Sequence, residues 1–209
     1  MNSQKYLVVT TMGAYVFATT NSLGTDEEKI LRWLLSLPES PPVSKQIVLS
    51  MEADLGVEDI MPILQHLLGK KLLAQERQPH RRSTEPMQDA LPRLLHSLSE
   101  TGKAMISGTD GLCIASIGFD IDRSHALSAM ASKLVDSLYH ANCDVFELLD
   151  MQYGLLCLYD MAARSLFTFF PLEFGPNRLV VVTQGKALFS GNTFRDFVWV
   201  LWGRYGTDS

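Results

Sequence analysis

Residues 104–120 of this chain read AMISGTDGLCIASIGFD, and residues 125–138 read HALSAMASKLVDSL. Two apolar β-type runs occur here, one at 103–107, which begins one residue before the first stretch, and one at 112–117, and residues 108–111 connect them. Because a tight hairpin turn needs residues that adopt positive φ, the pair Asp110-Gly111 predicts that these runs are antiparallel strands. The second stretch has apolar residues at helical spacing, and Ser124 stands before it as a predicted N-cap. The sequence here therefore predicts a hairpin followed by a helix.

The pattern continues on both sides of this segment. An amphipathic helix is predicted over 88–101, with Pro92 near its first turn and Gly102 at its end. Three β-type runs are predicted at 155–160, 165–170 and 178–183, and a final helix at 193–204 with Asn192 as its N-cap. Residues 143–151 fit either a strand or a helix. The predicted order is helix, two strands, helix, three strands, helix.

This order and its residues resemble the Roadblock dynein-light-chain domain family, over roughly residues 88–205. The family pattern is a strand, an Asp-Gly turn, a strand ending in Ala-Ser, a Gly and an Ala/Leu-rich helix. The matching residues are Asp110, Gly111, Leu112, Ala115, Ser116, Gly118 and the helix from Ser124. The longer connection after that helix departs from the pattern. The resemblance implies an α/β (α+β) fold with a five-stranded antiparallel sheet and helices on both faces.

The resemblance also implies a two-fold homodimer. In the family, the second strand of one protomer pairs with the same strand of the other, and the two central helices pack together. The corresponding segments here are 112–117 and 124–138. Small side chains on the helix would let two helices approach closely. The dimer-interface residues implied in this way are Leu112, Ile114, Ser116, Ala126, Met130 and Lys133.

Family members act as non-catalytic adaptors or as regulators of Ras-like small GTPases, so the resemblance implies such a GTPase as partner. The predicted partner-binding residues are Lys133 and Asp136 on the central helix, and Trp199 and Trp202 on the last helix. The two tryptophans widen the apolar stripe of that helix beyond what a helix on one sheet usually buries. Their face therefore either packs in the protein's core or meets the N-terminal domain or a partner.

The N-terminal part has a different pattern. Val, Thr, Tyr and Phe at 6–9 and 14–19, split by Met12-Gly13, predict two short strands or a hairpin. Three helices follow at 25–37, 44–54 and 59–69, the last with Asp59 as N-cap and Pro62 in its first turn, and then a strand at 72–76. This order resembles a winged-helix domain. We predict domains at 1–78 and 88–209, joined by a polar, Pro-bounded linker at 79–87.

A winged-helix-like domain raises the possibility of DNA binding. Residues 25–82 contain eight Lys plus Arg and nine Asp plus Glu, a balance of −1. The helix that would read DNA opens with Glu58 and Asp59, which would repel phosphates. Lys70, Lys71, Arg77, Arg81 and Arg82 form a basic cluster that fits a solvated linker better than a DNA contact. DNA is thus an unfavoured partner.

The sequence offers no catalytic or ligand-binding motif. Gly185-Lys186 lacks the upstream Gly of a P-loop, and Asp120-x-Asp122-x-Ser124 lacks the later ligands of a calcium loop. The five histidines never form an H-x-x-x-H pair. We therefore expect no catalytic residues, no metal and no cofactor, and a protein that is not an enzyme.

Composition and charge agree with a soluble, packed protein. The 209 residues are 46% hydrophobic and carry a formal net charge of −5. The three cysteines are too few and scattered for a disulfide framework, and no apolar run is long enough to cross a bilayer. We expect a cytoplasmic protein without membrane insertion.

These observations predict a non-enzymatic homodimer that regulates or scaffolds a Ras-like small GTPase. The alternative is a DNA-binding transcription regulator in which the Roadblock-like domain serves to form the dimer. A third alternative is a small-ligand sensor built on the same sheet. The choice between activator and scaffold, the identity of the GTPase and the role of the N-terminal domain stay open at this point.

Overall fold

The computed structural model describes residues 4–19, 25–140 and 156–206, with side chains given up to residue 137 in the second range. The chain forms two units. Unit 1 takes residues 1–84 and 190–207, and unit 2 takes residues 85–189. The predicted second domain ran from 88 to 209, so the structure differs in assigning the last helix to unit 1.

Unit 1 is mainly helical with a small sheet. Its elements are β1 Tyr6–Val9, α1 Thr11–Thr19, α2 Thr25–Ser36, α3 Lys45–Leu55, α4 Met61–Gly69, β2 Leu73–Glu76 and the C-terminal helix α7 Asn192–Tyr205. Strands β1 and β2 pair antiparallel, from Tyr6 opposite Glu76 to Val9 opposite Leu73. The three helices and the strand expected between 25 and 76 are thus present.

Local chemistry explains the ends of these helices. Ser44 caps α3 by accepting a hydrogen bond of 3.3 Å from Ile47 N, and Gly56 ends the helix at φ 62°. Pro62 lies in the first turn of α4, where its missing N–H costs nothing. The N-cap of α4 is Ile60 rather than the predicted Asp59, which has φ 52° and belongs to the turn before the helix.

The predicted hairpin at 6–19 is wrong in its second half, because residues 11–19 form helix α1. Thr10 starts this helix: its Oγ1 accepts a hydrogen bond of 3.0 Å from Gly13 N and donates one of 2.7 Å to Lys71 O. A Cβ on Gly13 would collide with the carbonyl oxygen of Leu72. Gly13 is therefore not a turn residue but the position at which a helix touches neighbouring backbone.

The predicted linker 79–87 is partly ordered on unit 1. Ser40 N donates to His80 O and Arg82 N donates to Pro38 O, each at 2.9 Å. Arg81 Nε also lies 3.1 Å from Glu39 Oε2. Because its backbone hydrogen bonds are made to residues 38–40, the first half of this segment extends the unit.

Unit 2 is built around one sheet. Its elements are α5 Met87–Ser97, β3 Ala104–Gly108, β4 Cys113–Ile117, α6 Ile121–His140, β5 Leu156–Tyr159, β6 Ser165–Phe174 and β7 Asn177–Gln184. The strand order is β4-β3-β7-β6-β5, and every pairing is antiparallel. The predicted five-stranded antiparallel sheet is confirmed.

Helices cover the centre of this sheet. The inner face of α6 packs Leu127, Ala131 and Val135 onto a cluster that includes Met105 and Val182 of the sheet. Helix α5 packs against β3 and β4, and Ile106, which points away from α6, is fully buried. Both faces of the central strands are therefore withdrawn from water.

Several predicted caps in the C-terminal half are corrected. Helix α6 begins at Ile121, and Asp120 Oδ1 accepts a hydrogen bond of 2.8 Å from Arg123 N, so Asp120 takes the capping role predicted for Ser124. The N-cap of α7 is Gly191, not Asn192. Pro92 lies inside α5 rather than in its first turn. Residues 143–151, for which the sequence left strand and helix open, lie outside the described residues.

Candidate interaction surface

Strand β4 lies at one edge of the five-stranded sheet. It pairs with β3 on one side, and no strand of the described ranges pairs with its other side. All five of its residues are half-buried. An edge strand presents unpaired backbone N–H and C=O groups, which can extend a sheet into a partner.

The turn before β4 projects an apolar side chain. Gly108 N donates a hydrogen bond of 3.0 Å to Leu112 O, and Asp110 Oδ1 accepts one of 3.0 Å from Leu112 N. Gly111 has φ 79°, which confirms the predicted use of the Asp-Gly pair. The turn leaves 67% of Leu112 exposed.

The outward face of α6 is exposed over four turns. It carries two apolar side chains, several small residues and a few charged ones. Ile121 is 74% exposed and Met130 38%, and the other exposed positions are Asp122, Arg123, His125, Ala126, Ala129, Lys133, Asp136 and Ser137. Small residues allow another helix to approach closely.

Hydrogen bonds hold β4 and its turn against α6. Ser116 Oγ on β4 lies 2.8 Å from Ser124 Oγ on α6, and Ser132 Oγ donates to Thr109 O of the turn. A Cβ on Gly111 would lie only 3.8 Å from Ala129 Cα. The edge strand, its turn and the exposed face of α6 therefore form one continuous surface, which we call the β4–α6 surface.

The predicted dimer-interface residues all lie on or beside the β4–α6 surface. Leu112, Ala126, Met130 and Lys133 are exposed. Ser116 is half-buried, and its hydroxyl group forms a hydrogen bond with Ser124 of α6. Ile114 is also half-buried and lies in a β-bulge, where residues 113–115 of β4 oppose Ile106 and Ser107. Ile121 was not predicted on this surface, because the helix was expected to begin at Ser124, whereas it begins at Ile121. Ile121 lies one i+4 step before His125 on the same helix.

The predicted partner-binding residues divide into two groups. Lys133 and Asp136 are exposed on α6. Trp199 and Trp202 are only 4% and 2% exposed, and their Nε1 atoms donate hydrogen bonds of 3.1 Å to Leu37 O and Ser36 Oγ within unit 1. The prediction that the tryptophans bind a partner is therefore wrong, and the alternative that they pack in the core against the N-terminal helices is the one observed.

The described residues hold no group of three or more His, Cys, Asp or Glu side chains that could bind a metal ion. Cys113 lies on the edge strand, and burial raises the pKa of its thiol, an effect that a hydrogen bond with Ser128 opposes. A raised pKa keeps the sulfur as a thiol, whereas a nucleophilic cysteine needs a lowered one. This cysteine fits packing rather than catalysis.

Two of the five residues in the basic cluster predicted in the N-terminal half are paired with carboxylates, and a third packs against the backbone of α7. Lys70 Nζ lies 3.6 Å from Glu27 Oε1, and Arg81 pairs with Glu39. The guanidinium of Arg82 packs against Gly203 of α7. Basic side chains that are paired with carboxylates or packed against backbone do not form a continuous positive surface that could bind phosphates.

Among the helices of the described ranges, none combines the length and apolar character needed to span a bilayer.

No known family model and no curated protein matches the chain. Among solved structures, it is similar to one described as the crystal structure of a Roadblock/LC7 domain from Streptomyces avermitilis. The two chains are 19% identical, the similarity covers 57% of this chain and 96% of that one, and the TM-score is 0.40. The similarity extends over nearly all of that chain and just over half of this one.

Proposed function

We propose that this chain is a non-enzymatic, cytoplasmic homodimer that scaffolds or regulates a Ras-like small GTPase through a Roadblock-like unit 2. The observation that carries the proposal is the β4–α6 surface, where an edge strand without a described partner adjoins an exposed small-residue helix face. Pairing two β4 strands about a two-fold axis would satisfy both edges and bring the two α6 helices together.

The chemistry of the surface supports binding rather than catalysis. Exposed Leu112, Ile121 and Met130 supply apolar area, while Lys133 and Asp136 supply charge at its margin. This combination of an apolar centre and a polar rim is typical of protein interfaces. Any effect on GTP turnover would then arise because binding reshapes the partner's own active site.

The alternative, a transcription regulator, retains the helix order of α2, α3 and α4 in its favour. The local charges weigh against it, since Glu58 and Asp59 precede α4 and Lys70 and Arg81 are paired with carboxylates. We therefore propose that unit 1 binds a protein or a small ligand rather than DNA.

One experiment separates these functions. The full chain is used to capture proteins and DNA from a native lysate, and each captured GTPase is purified and assayed for GTP hydrolysis and nucleotide exchange with and without the chain. We expect a Ras-like GTPase that dimer-breaking variants of the β4–α6 surface no longer capture. Specific promoter DNA without a GTPase, or GTP hydrolysis by the chain alone, would overturn the proposal.

A further inference from the structure

A second candidate site lies wholly inside unit 1, so it does not depend on the proposed dimer. A groove of about 620 Å³ opens between α3, α4 and the β1–β2 sheet. Its walls are mainly apolar, and the principal side chains are Ile47, Val48, Met51, Met61, Leu64 and Leu68. This volume and composition are typical of small-molecule sites, which range from about 300 to 1,000 Å³.

The groove exists because α3 is incompletely buried. Met51 is the only fully buried residue of this helix, although its sequence also supplies Ile47 and Val48 to the same side. Around the groove, Val43 is 46% exposed, Leu49 53% and Met61 44%. Leaving apolar surface in water costs about 25 cal/mol per Å², so an apolar occupant would gain this free energy.

The charges around the groove are unevenly placed. Lys45 lines the groove from the first turn of α3. This lysine forms no ion pair with a carboxylate of the described ranges. Glu52 also lines the groove, but its Oε1 accepts a hydrogen bond of 3.2 Å from Ile60 N. Seven residues of helix separate Lys45 from Glu52, which places them about 10 Å apart along the axis.

We propose that this groove binds a single-chain aliphatic carboxylate of the fatty-acid class. The carboxylate lies at the lysine end, where Lys45 supplies an uncompensated positive charge. The aliphatic chain lies between α3 and α4, along Val48 and the exposed Met61, where it covers the apolar wall. The groove thereby makes unit 1 a ligand-sensing module attached to unit 2.

The test is calorimetric titration of the full chain with dodecanoate, kept below its micelle concentration, and with octanoate. We expect saturable binding of one dodecanoate, and an affinity that falls about three- to fourfold for each methylene removed, as the burial of a methylene predicts. Lys45→Glu reverses an exposed charge and should weaken dodecanoate binding about three- to tenfold. The matched control, Lys186→Glu in unit 2, should leave it unchanged.

Three results would overturn the proposal. The first is a dissociation constant for dodecanoate above about 1 mM, which would indicate that the groove binds a helix of a partner protein instead. The second is equal weakening by Lys45→Glu and Lys186→Glu, which would mean unspecific attraction of anions. The third is the same affinity for octanoate and dodecanoate, which would mean that the groove does not hold the chain. Circular dichroism of the exposed-site variant Lys45→Glu checks that it folds.

Discussion

Trp202 Nε1 donates a hydrogen bond of 3.1 Å to Ser36 Oγ, which joins two residues 166 positions apart in the chain. The indole also meets the ring of Phe17 edge-on, with centroids 5.0 Å apart, and Arg32 lies over it at 5.4 Å. The last helix of the sequence is therefore part of the core formed by the first helices. The core of unit 1 is complete only when the C-terminal helix α7 has packed against the N-terminal helices.

The first prediction concerns this core. Trp202→Ala should lower the free energy of unfolding by about 3 to 5 kcal/mol, because it removes a buried aromatic side chain and leaves a cavity. Urea denaturation of the full chain measures the change. Arg204→Ala, an exposed position in the same helix, is the control and should change stability little. Equal stability of both variants would mean that α7 does not contribute to the core.

The second prediction concerns assembly. Wild-type protein should sediment as a dimer at micromolar concentration, and Ala126→Arg should shift it to a monomer, since a long charged side chain would separate the two α6 helices. Gln88→Arg makes the same kind of change at an exposed position of α5 and should leave the dimer intact. A wild-type monomer, or a dimer that both variants retain, would contradict the proposed interface.

The third prediction concerns the partner. Lys133→Glu and Asp136→Lys alter charge on the exposed face of α6 and should change the affinity for a captured GTPase, by about two- to fivefold for rim charges. Thermal stability should hardly change, because both positions are exposed. Lys186→Glu is the charge control. If both α6 variants bind the GTPase normally, its binding surface lies outside this helix.

The fourth prediction concerns pH. Asp160 Oδ1 accepts hydrogen bonds from Arg164 N and Ala162 N, and the guanidinium of Arg164 lies beside Oδ2. These hydrogen bonds, that of Arg164 N foremost, lower the pKa of Asp160 below its ordinary value of 3.8, against a smaller opposing effect of burial. A lowered pKa in the folded state stabilises the β5–β6 turn above the unfolded pKa, and this stabilisation is lost as pH falls through the folded pKa.

Carboxyl NMR titration should therefore place Asp160 below 3.8. Asp160→Asn should remove the part of the acid-induced loss of stability that this turn contributes. Asp122→Asn, which also deletes one exposed carboxylate, controls for the change of net charge. A titration of Asp160 at or above its ordinary value would refute the assigned hydrogen bonds.

The fifth prediction concerns nucleic acid. Unit 1 should bind duplex DNA no more tightly than the weak non-specific range, about 10⁻⁴ M at physiological salt, because its basic residues are paired or dispersed. Electrophoretic shifts at several salt concentrations measure this. Tight, sequence-dependent binding would support the transcription-regulator alternative.

Local sequence was sufficient for most of unit 2. The hairpin at 104–117 follows from two apolar β-type runs and from Asp110-Gly111, and the structure confirms the positive φ of Gly111. The helix after it follows from 3.6-residue periodicity. Its exact cap did not, because Asp120 and Ser124 are both good N-cap residues. Only the structure shows that Asp120 Oδ1 accepts from Arg123 N, while Ser124 Oγ lies against Ser116 Oγ.

Local sequence misled the interpretation of residues 11–19. Their Val, Thr, Tyr and Phe content favours a strand, yet they form α1, which packs against α7 through the pairs Tyr15–Phe194 and Phe17–Trp202. Secondary-structure propensity is weak compared with the burial of aromatic side chains, so a partner distant in sequence decided the outcome.

The sequence by itself determined the number and order of most elements and the absence of recognisable catalytic motifs, because these depend on periodicity, turn chemistry and spacing within short segments. Only the tertiary structure decided which side chains are available. It buried Trp199 and Trp202, exposed Ile121, and opened a groove beside α3 although Ile47 and Val48 fit an inward stripe. Exposure depends on which distant element covers a face, and contacts between residues far apart in the chain leave no periodic signal in either segment.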